Sequence, residues 1–207
     1  MSAFDRSNLS VCVIDDDAVV RESLKLLIEM QGLSVLDYAN CPDYLADTRA
    51  QQCVCLILDV RLPGISGLQL QERLRQRDDV PPIIFISGHA DVPMAVQAMR
   101  AGALDFLQKP FPEQILLDRI EQAIELSAQR RQDRVRRATI SARVSQLTAR
   151  EHDVLDCMLA GLANKLIAEK LAISVKTVEQ HRAKVMEKMR ASSLAELLQS
   201  VEWLRRQ

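Results

Sequence analysis

Asp15 and Asp16 directly follow the apolar run 11–14, and Asp59 follows another at 53–58. An acidic residue after such a run stands at the carboxyl end of a strand, which in an open parallel α/β sheet is the edge where ligands bind. In a doubly wound order the first and third strands are neighbours, so the three carboxylates are expected to meet there. Crowded carboxylates raise one another's pKa unless a cation stands among them. Their hard oxygens suit Mg²⁺, which takes a few carboxylates and keeps several waters. Ser87 follows a fourth apolar run and Lys109-Pro110 a fifth, adding a hydroxyl and an ammonium to the same edge. Such a set fits a carboxylate nucleophile that accepts a phosphoryl group. Asp59 attacks, Mg²⁺ and Lys109 stabilise the charge, and Ser87 hydrogen-bonds the product.

The elements that must position these groups are legible as alternation. Apolar runs at 11–14, 33–36, 53–58, 83–86 and 104–107 are separated by stretches of helical period. Five βα units imply a parallel sheet covered on both faces, a flavodoxin-like doubly wound five-stranded fold. Residues 19–32 carry Leu24, Leu27 and Ile28 on one helix face and end in Gly32, suited to a helix C-cap. Pro63-Gly64, Ser87-Gly88 and Lys109-Pro110 mark three loops at the ligand edge.

From Pro112 a helical pattern runs on through 128–146 without Gly or Pro, which predicts a helical linker over 126–146 joining a first domain (8–125) to a second (147–207). Beyond Leu147 there is no strand signal, only four short helices. Thr148 to Glu151 has capping-box form, opening a helix that buries Val154, Leu155, Met158 and Leu159 before Gly161. Asn164 can cap a second helix and Ser174 a third, a helix-turn-helix whose second member enters the major groove. On a wheel over 175–189, Val178, Val185 and Met189 share one face. The opposite face carries Lys176, Gln180, Ala183 and Glu187, flanked by Thr177, Glu179 and Lys184. Gln180 suits a bidentate contact to adenine and Ala183 a thymine methyl. Thr177, Arg182, Lys184 and Lys188 are placed for phosphates.

With 207 residues, 48% hydrophobic and 27% charged, the chain can bury two small cores and falls outside the disordered class. A formal net charge of -1 argues against a nucleic-acid binder only until it is mapped. Residues 1–120 hold 11 Lys and Arg against 17 Asp and Glu, whereas residues 140–207 hold 11 against 8. The acidity belongs to the pocket domain and the basic excess to the helical one. Five scattered cysteines show neither a disulfide framework nor zinc spacing, and Cys12, Cys53 and Cys55 read as strand packing. No signal segment or membrane-length apolar run is present, which leads to an expectation of a soluble protein in a reducing cytoplasm, away from membranes.

Val13-Ile14-Asp15-Asp16-Asp17, Leu58-Asp59-Val60-Arg61-Leu62-Pro63-Gly64, Ser87-Gly88-His89 and Asp105-Phe106 followed by Lys109-Pro110 resemble the motifs of a response-regulator receiver domain, over residues 8–125. The resemblance implies that Asp59 is phosphorylated by a sensor histidine kinase. It places Asp16, Asp59 and the Arg61 carbonyl on the metal, with Asp15 acting mainly through water. Ser87 and Phe106 become a switch pair, and Lys109-Pro110 the family's cis-peptide site. His89 is a loop residue. The stretch from Leu147 to Met189 is similar to the LuxR-type helix-turn-helix of the FixJ/NarL class, and to FixJ-like regulators above all. The implied protein is a phosphorylation-controlled transcription factor and not an enzyme. It would dimerise on phosphorylation, bind double-stranded promoter DNA, and have RNA polymerase as a further candidate partner.

Two other classes stand beside this one. Phosphohydrolases with a phospho-aspartate use an Asp-x-Asp pair, but the residue two after Asp59 is Arg61, which cannot donate a proton to a leaving group at neutral pH. A pure interaction module would show the same helices as solvated faces. The inactive form is open between a receiver that covers the recognition helix and a linker that holds the domains apart.

Overall fold

The computed structural model describes residues 9–77, 79–88 and 91–205. Strands β1 (Ser10–Ile14), β2 (Ser34–Tyr38), β3 (Cys55–Asp59), β4 (Ile83–Ser87) and β5 (Asp105–Gln108) form one parallel sheet in the order β2-β1-β3-β4-β5. Helices α1 (Ala18–Glu29), α2 (Cys41–Ala46), α3 (Gly67–Leu74), α4 (Val92–Arg100) and α5 (Glu113–Val144) connect and follow them. Side chains alternate along the strands, as the pleat requires. Cys12, Ile14, Leu56, Leu58 and Phe85 enter one core layer, and Val11, Val13, Cys55, Ile57, Ile84 and Ile86 enter the other. The second layer is closed by Leu24 and Ile28 of α1 and by Leu116, Ile120 and Ala123 of α5. The flavodoxin-like reading therefore holds.

Two expectations change at the strand starts. The apolar run 53–58 begins as strand only at Cys55, because Thr48–Gln52 forms a 3-10 turn that Cys53 terminates. This turn brings Cys53 beside β1, where it forms a disulfide with Cys12 across a Cα–Cα distance of 6.0 Å. The sequence separation of 41 gives no hint of the pairing, since connectivity follows from the fold and not from spacing. Cys41, Cys55 and Cys157 are free and buried.

The chain divides into two compact units between Arg130 and Arg131. In the second, Ile140 and Val144 of α5 join a core built by α6 (Ala149–Leu159), α7 (Asn164–Leu171), α8 (Val175–Met189) and α9 (Leu194–Arg205). Thr148 and Glu151 close the expected capping box, and the Ser174 hydroxyl accepts from the Thr177 amide to cap α8. Asn164 is not a cap: it lies inside α7, whose N-cap is Ala163 without a side-chain bond. The turn into α8 passes through Ala172 at φ 54°, a left-handed conformation that costs a residue with a Cβ about 1 kcal/mol. Among the described residues no helix is long and apolar enough to cross a membrane.

Candidate functional site

The carboxyl edge of the sheet gathers the expected charges around Lys109. Its ammonium stands 2.6 Å from Asp15 Oδ2 and 2.9 Å from Asp59 Oδ1, bridging β1 and β3 from the end of β5. Both carboxylates are buried, at 1% and 7% exposure, so the ion pairs are shielded from the solvent that weakens surface ones. The Asp17 amide donates to Asp15 Oδ1 at 3.0 Å and the Arg61 amide to Asp59 Oδ2 at 2.6 Å. Burial raises the pKa of Asp15, with Lys109 and the Asp17 amide opposing it. For Lys109, burial acts downward but the bonds to Asp15 and Asp59 outweigh it, so its pKa is raised. The Lys109-Pro110 peptide is cis.

Asp16 does not join this group. It is exposed, because successive residues leaving a strand point to opposite sides. Among the described residues no three His, Cys, Asp or Glu side chains stand together as a metal-holding group, which corrects the expectation that three carboxylates meet. The donor chemistry nevertheless fits a hard cation. Mg²⁺ needs only one or two carboxylates beside its waters, and a carboxylate oxygen with one hydrogen bond keeps a further lone pair.

Strand register places the remaining residues. Asp59 pairs with Ile86, so Ser87 lies one step beyond it, and Phe85 pairs with Phe106. The two rings stack with centroids 6.1 Å apart, and Phe106 packs half-buried against the core. Ser87 is buried, and its carbonyl accepts the Lys109 amide at 2.8 Å. His89 lies outside the described residues. Sequence reading missed two participants. Gly67 opens α3 against the carboxyl edge of the sheet, where a Cβ would collide with the Asp59 carbonyl oxygen. Arg21 of α1 donates to the carbonyls of Asp15 at 2.8 Å and Asp16 at 3.1 Å. A glycine after a cap serine and an arginine on an amphipathic helix are ordinary in sequence, so neither carried a signal.

In the second unit, α8 buries Val178, Val185 and Met189 and leaves Lys176, Glu179, Gln180, Ala183 and Lys184 exposed together. These positions repeat at helical spacing and form one polar face. Thr177 and Arg182 are half-buried at its margin, and the Thr177 hydroxyl lies 2.7 Å from that of Ser174. Lys188 departs from its expected role: its ammonium binds Glu151 at 2.6 Å and the Gln146 carbonyl at 3.1 Å. Glu151 is 3% exposed. The Lys188 bond, then the Thr148 amide, lowers its pKa to about 2.

Residues 11–121 match the family described as response regulator receiver domain, and residues 145–201 match bacterial regulatory proteins, luxR family. The chain is a two-component response regulator. The response regulator is 44% identical to the transcriptional regulatory protein FixJ of Azorhizobium caulinodans, over 92% of this chain and 90% of that one. It is 42% identical to the response regulator protein TodT of Pseudomonas putida, over 97% and 88%. Among solved structures, response regulator StyR is similar at a TM-score of 0.81 and 45% identity, covering 93% of this chain and 98% of that one. Full-length FixJ from B. japonicum is similar at 0.57 and 39%, covering 97% and 98%. The receiver and the LuxR-type DNA-binding domain together make this regulator one that controls transcription, of the FixJ/NarL kind.

Proposed function

We propose that Asp59 accepts a phosphoryl group from a sensor histidine kinase and that this event controls promoter binding by α8. The observation that carries the reading is the buried Asp15–Lys109–Asp59 bridge at the strand ends. An Asp59 oxygen forms the new bond to phosphorus while the phosphorus–nitrogen bond to the kinase histidine breaks. Lys109 meets the charge that develops on the transferred group. Asp15, Asp59 and the Arg61 carbonyl would hold Mg²⁺, which the exposed Asp16 would join only by turning its side chain inward; the bound charge would offset that of the phosphoryl oxygens. Ser87 then hydrogen-bonds the phosphoryl group and Phe106 follows it by turning inward. A receiver over 8–125, a connecting helix over 126–146 and a DNA-binding domain over 147–207 divide the work.

The charge change at Asp59 rearranges the surface of α4, β5 and α5, and homodimerisation there brings two α8 helices to adjacent half-sites of promoter DNA. Gln180 and Ala183, with Lys176 and Glu179 beside them, face the bases. Thr177, Arg182 and Lys184 meet phosphates, and Lys188 supports the helix from inside. RNA polymerase is a further partner of the bound dimer, and the setting is the cytoplasm. The test is intact mass after incubation with acetyl phosphate and Mg²⁺. Wild type gains one phosphoryl group and Asp59→Asn gains none; an equal gain in both, or none in wild type, refutes the assignment.

A further inference from the structure

We infer that Arg21 is a positioning residue of the acidic pocket, holding the backbone of Asp15 and Asp16 so that the Asp15 carboxylate stays in the pocket and the Asp16 carboxylate is within a side-chain rotation of the same divalent cation. The inference rests on the phosphoryl-acceptor reading of that pocket. Arg21 reaches the loop after β1 from the first turn of α1. One guanidinium nitrogen, Nη1, donates to both successive carbonyls. On its other side Nε stands 3.6 Å from Asp37 Oδ2 on β2, and Lys25 approaches the same carboxylate at 3.4 Å. Arg21 Nε is itself buried without a hydrogen-bond partner, so the group is held in place at some cost and not by convenience of the surface.

The choice of acceptor atoms is what makes this arrangement useful. Lys109 occupies carboxylate oxygens, but Arg21 takes only carbonyls. Its permanent charge lowers the repulsion between Asp15 and Asp16 and takes up none of their side-chain oxygens. The Asp15 carboxylate has its own anchors in the Asp17 amide and Lys109. Asp16 is exposed, and the bond from Arg21 to its carbonyl anchors its backbone. Groups that orient metal ligands from behind set affinity by about 10- to 100-fold.

The experiment is a Mg²⁺ titration of the full chain by calorimetry, with phosphorylation by acetyl phosphate followed at low and at saturating Mg²⁺. Arg21→Met is expected to weaken Mg²⁺ binding about 10-fold, with Arg21→Lys intermediate. Saturating Mg²⁺ should restore phosphoryl acceptance in both, and exchange of the Asp17 amide should quicken without metal. Unchanged Mg²⁺ affinity in Arg21→Met overturns the inference, as does a phosphorylation defect that saturating Mg²⁺ leaves untouched. Should Arg21→Met fail to fold, Arg21→Lys decides by the same two criteria. Wild type that binds no Mg²⁺ and takes no phosphoryl group sinks the underlying reading instead.

Discussion

The pocket of the receiver and the outer face of α8 both depend on charge, yet they hold it differently. In the pocket, Asp15, Asp59 and Lys109 are buried or half-buried and already bound to one another. On α8, Lys176, Gln180 and Lys184 stand exposed. A site that performs chemistry at one atom gains from partners fixed beforehand, since no reorganisation is then needed at the moment of reaction. A surface that reads a long polyanion gains from side chains that give up only water when they bind. Lys188 shows the boundary between the two: it carries the same ammonium group as Lys184 but is bound inward to Glu151.

The largest effect that can break this contrast is at the pocket. Lys109→Met should slow phosphoryl acceptance about 100-fold or more, measured as mass gain with acetyl phosphate, while DNA affinity of the unphosphorylated protein stays at the wild-type value. Gly67→Ala comes next. Its Cβ would press on the Asp59 carbonyl and on Leu58 and Phe85 at 3.1 Å, an overpacking that costs about 2–3 kcal/mol. Hydrogen exchange should report the loss in the receiver strands, with the unfolding transition followed by Trp203 fluorescence in the second unit unaltered.

Glu151→Gln should remove about 2 kcal/mol from the second unit by leaving the Lys188 ammonium half-buried without its counter-charge. The pH dependence fixes its origin. Because the folded pKa of Glu151 lies below its ordinary value of 4.5, its stabilising effect is complete above that pH. It is lost as pH falls toward about 2. Trp203 fluorescence should show that loss in wild type and a flatter acid profile in the variant. The smallest effect separates the two lysines. Lys184→Ala should reduce the slope of log affinity against log salt by about 0.9, and Lys188→Ala should leave that slope in place.

The pocket was more legible in sequence than the reading face, for a physical reason. Phosphoryl chemistry demands particular residue types at strand ends, so Asp15, Asp59, Ser87 and Lys109 could be placed from apolar runs and from the motifs they complete. Asp16 was drawn into the same group because strand-end position was legible but side-chain direction was not. The role of Lys188 depends on Glu151, which lies 37 residues upstream in another helix, and helical spacing alone cannot tell an inward ammonium from an outward one. The Cys12–Cys53 disulfide escaped notice for the same cause, since the 3-10 turn that delivers Cys53 to β1 has no pattern of its own. Caps, by contrast, are local: those of Thr148 and Ser174 hold, whereas Asn164 lies inside α7 and α1 is capped at Met30, two residues before the expected Gly32.

The central claim is that the chemistry of one region governs reading by the other. The most direct measurement is the affinity of wild type and Asp59→Asn for promoter DNA from the same genome, by anisotropy at fixed salt, with and without acetyl phosphate and Mg²⁺. The account predicts a gain in affinity on phosphorylation for wild type, rising steeply with protein concentration as a dimer requires, and no gain for Asp59→Asn. Equal affinities for phosphorylated and unphosphorylated wild type, or the same gain in the variant, would contradict it.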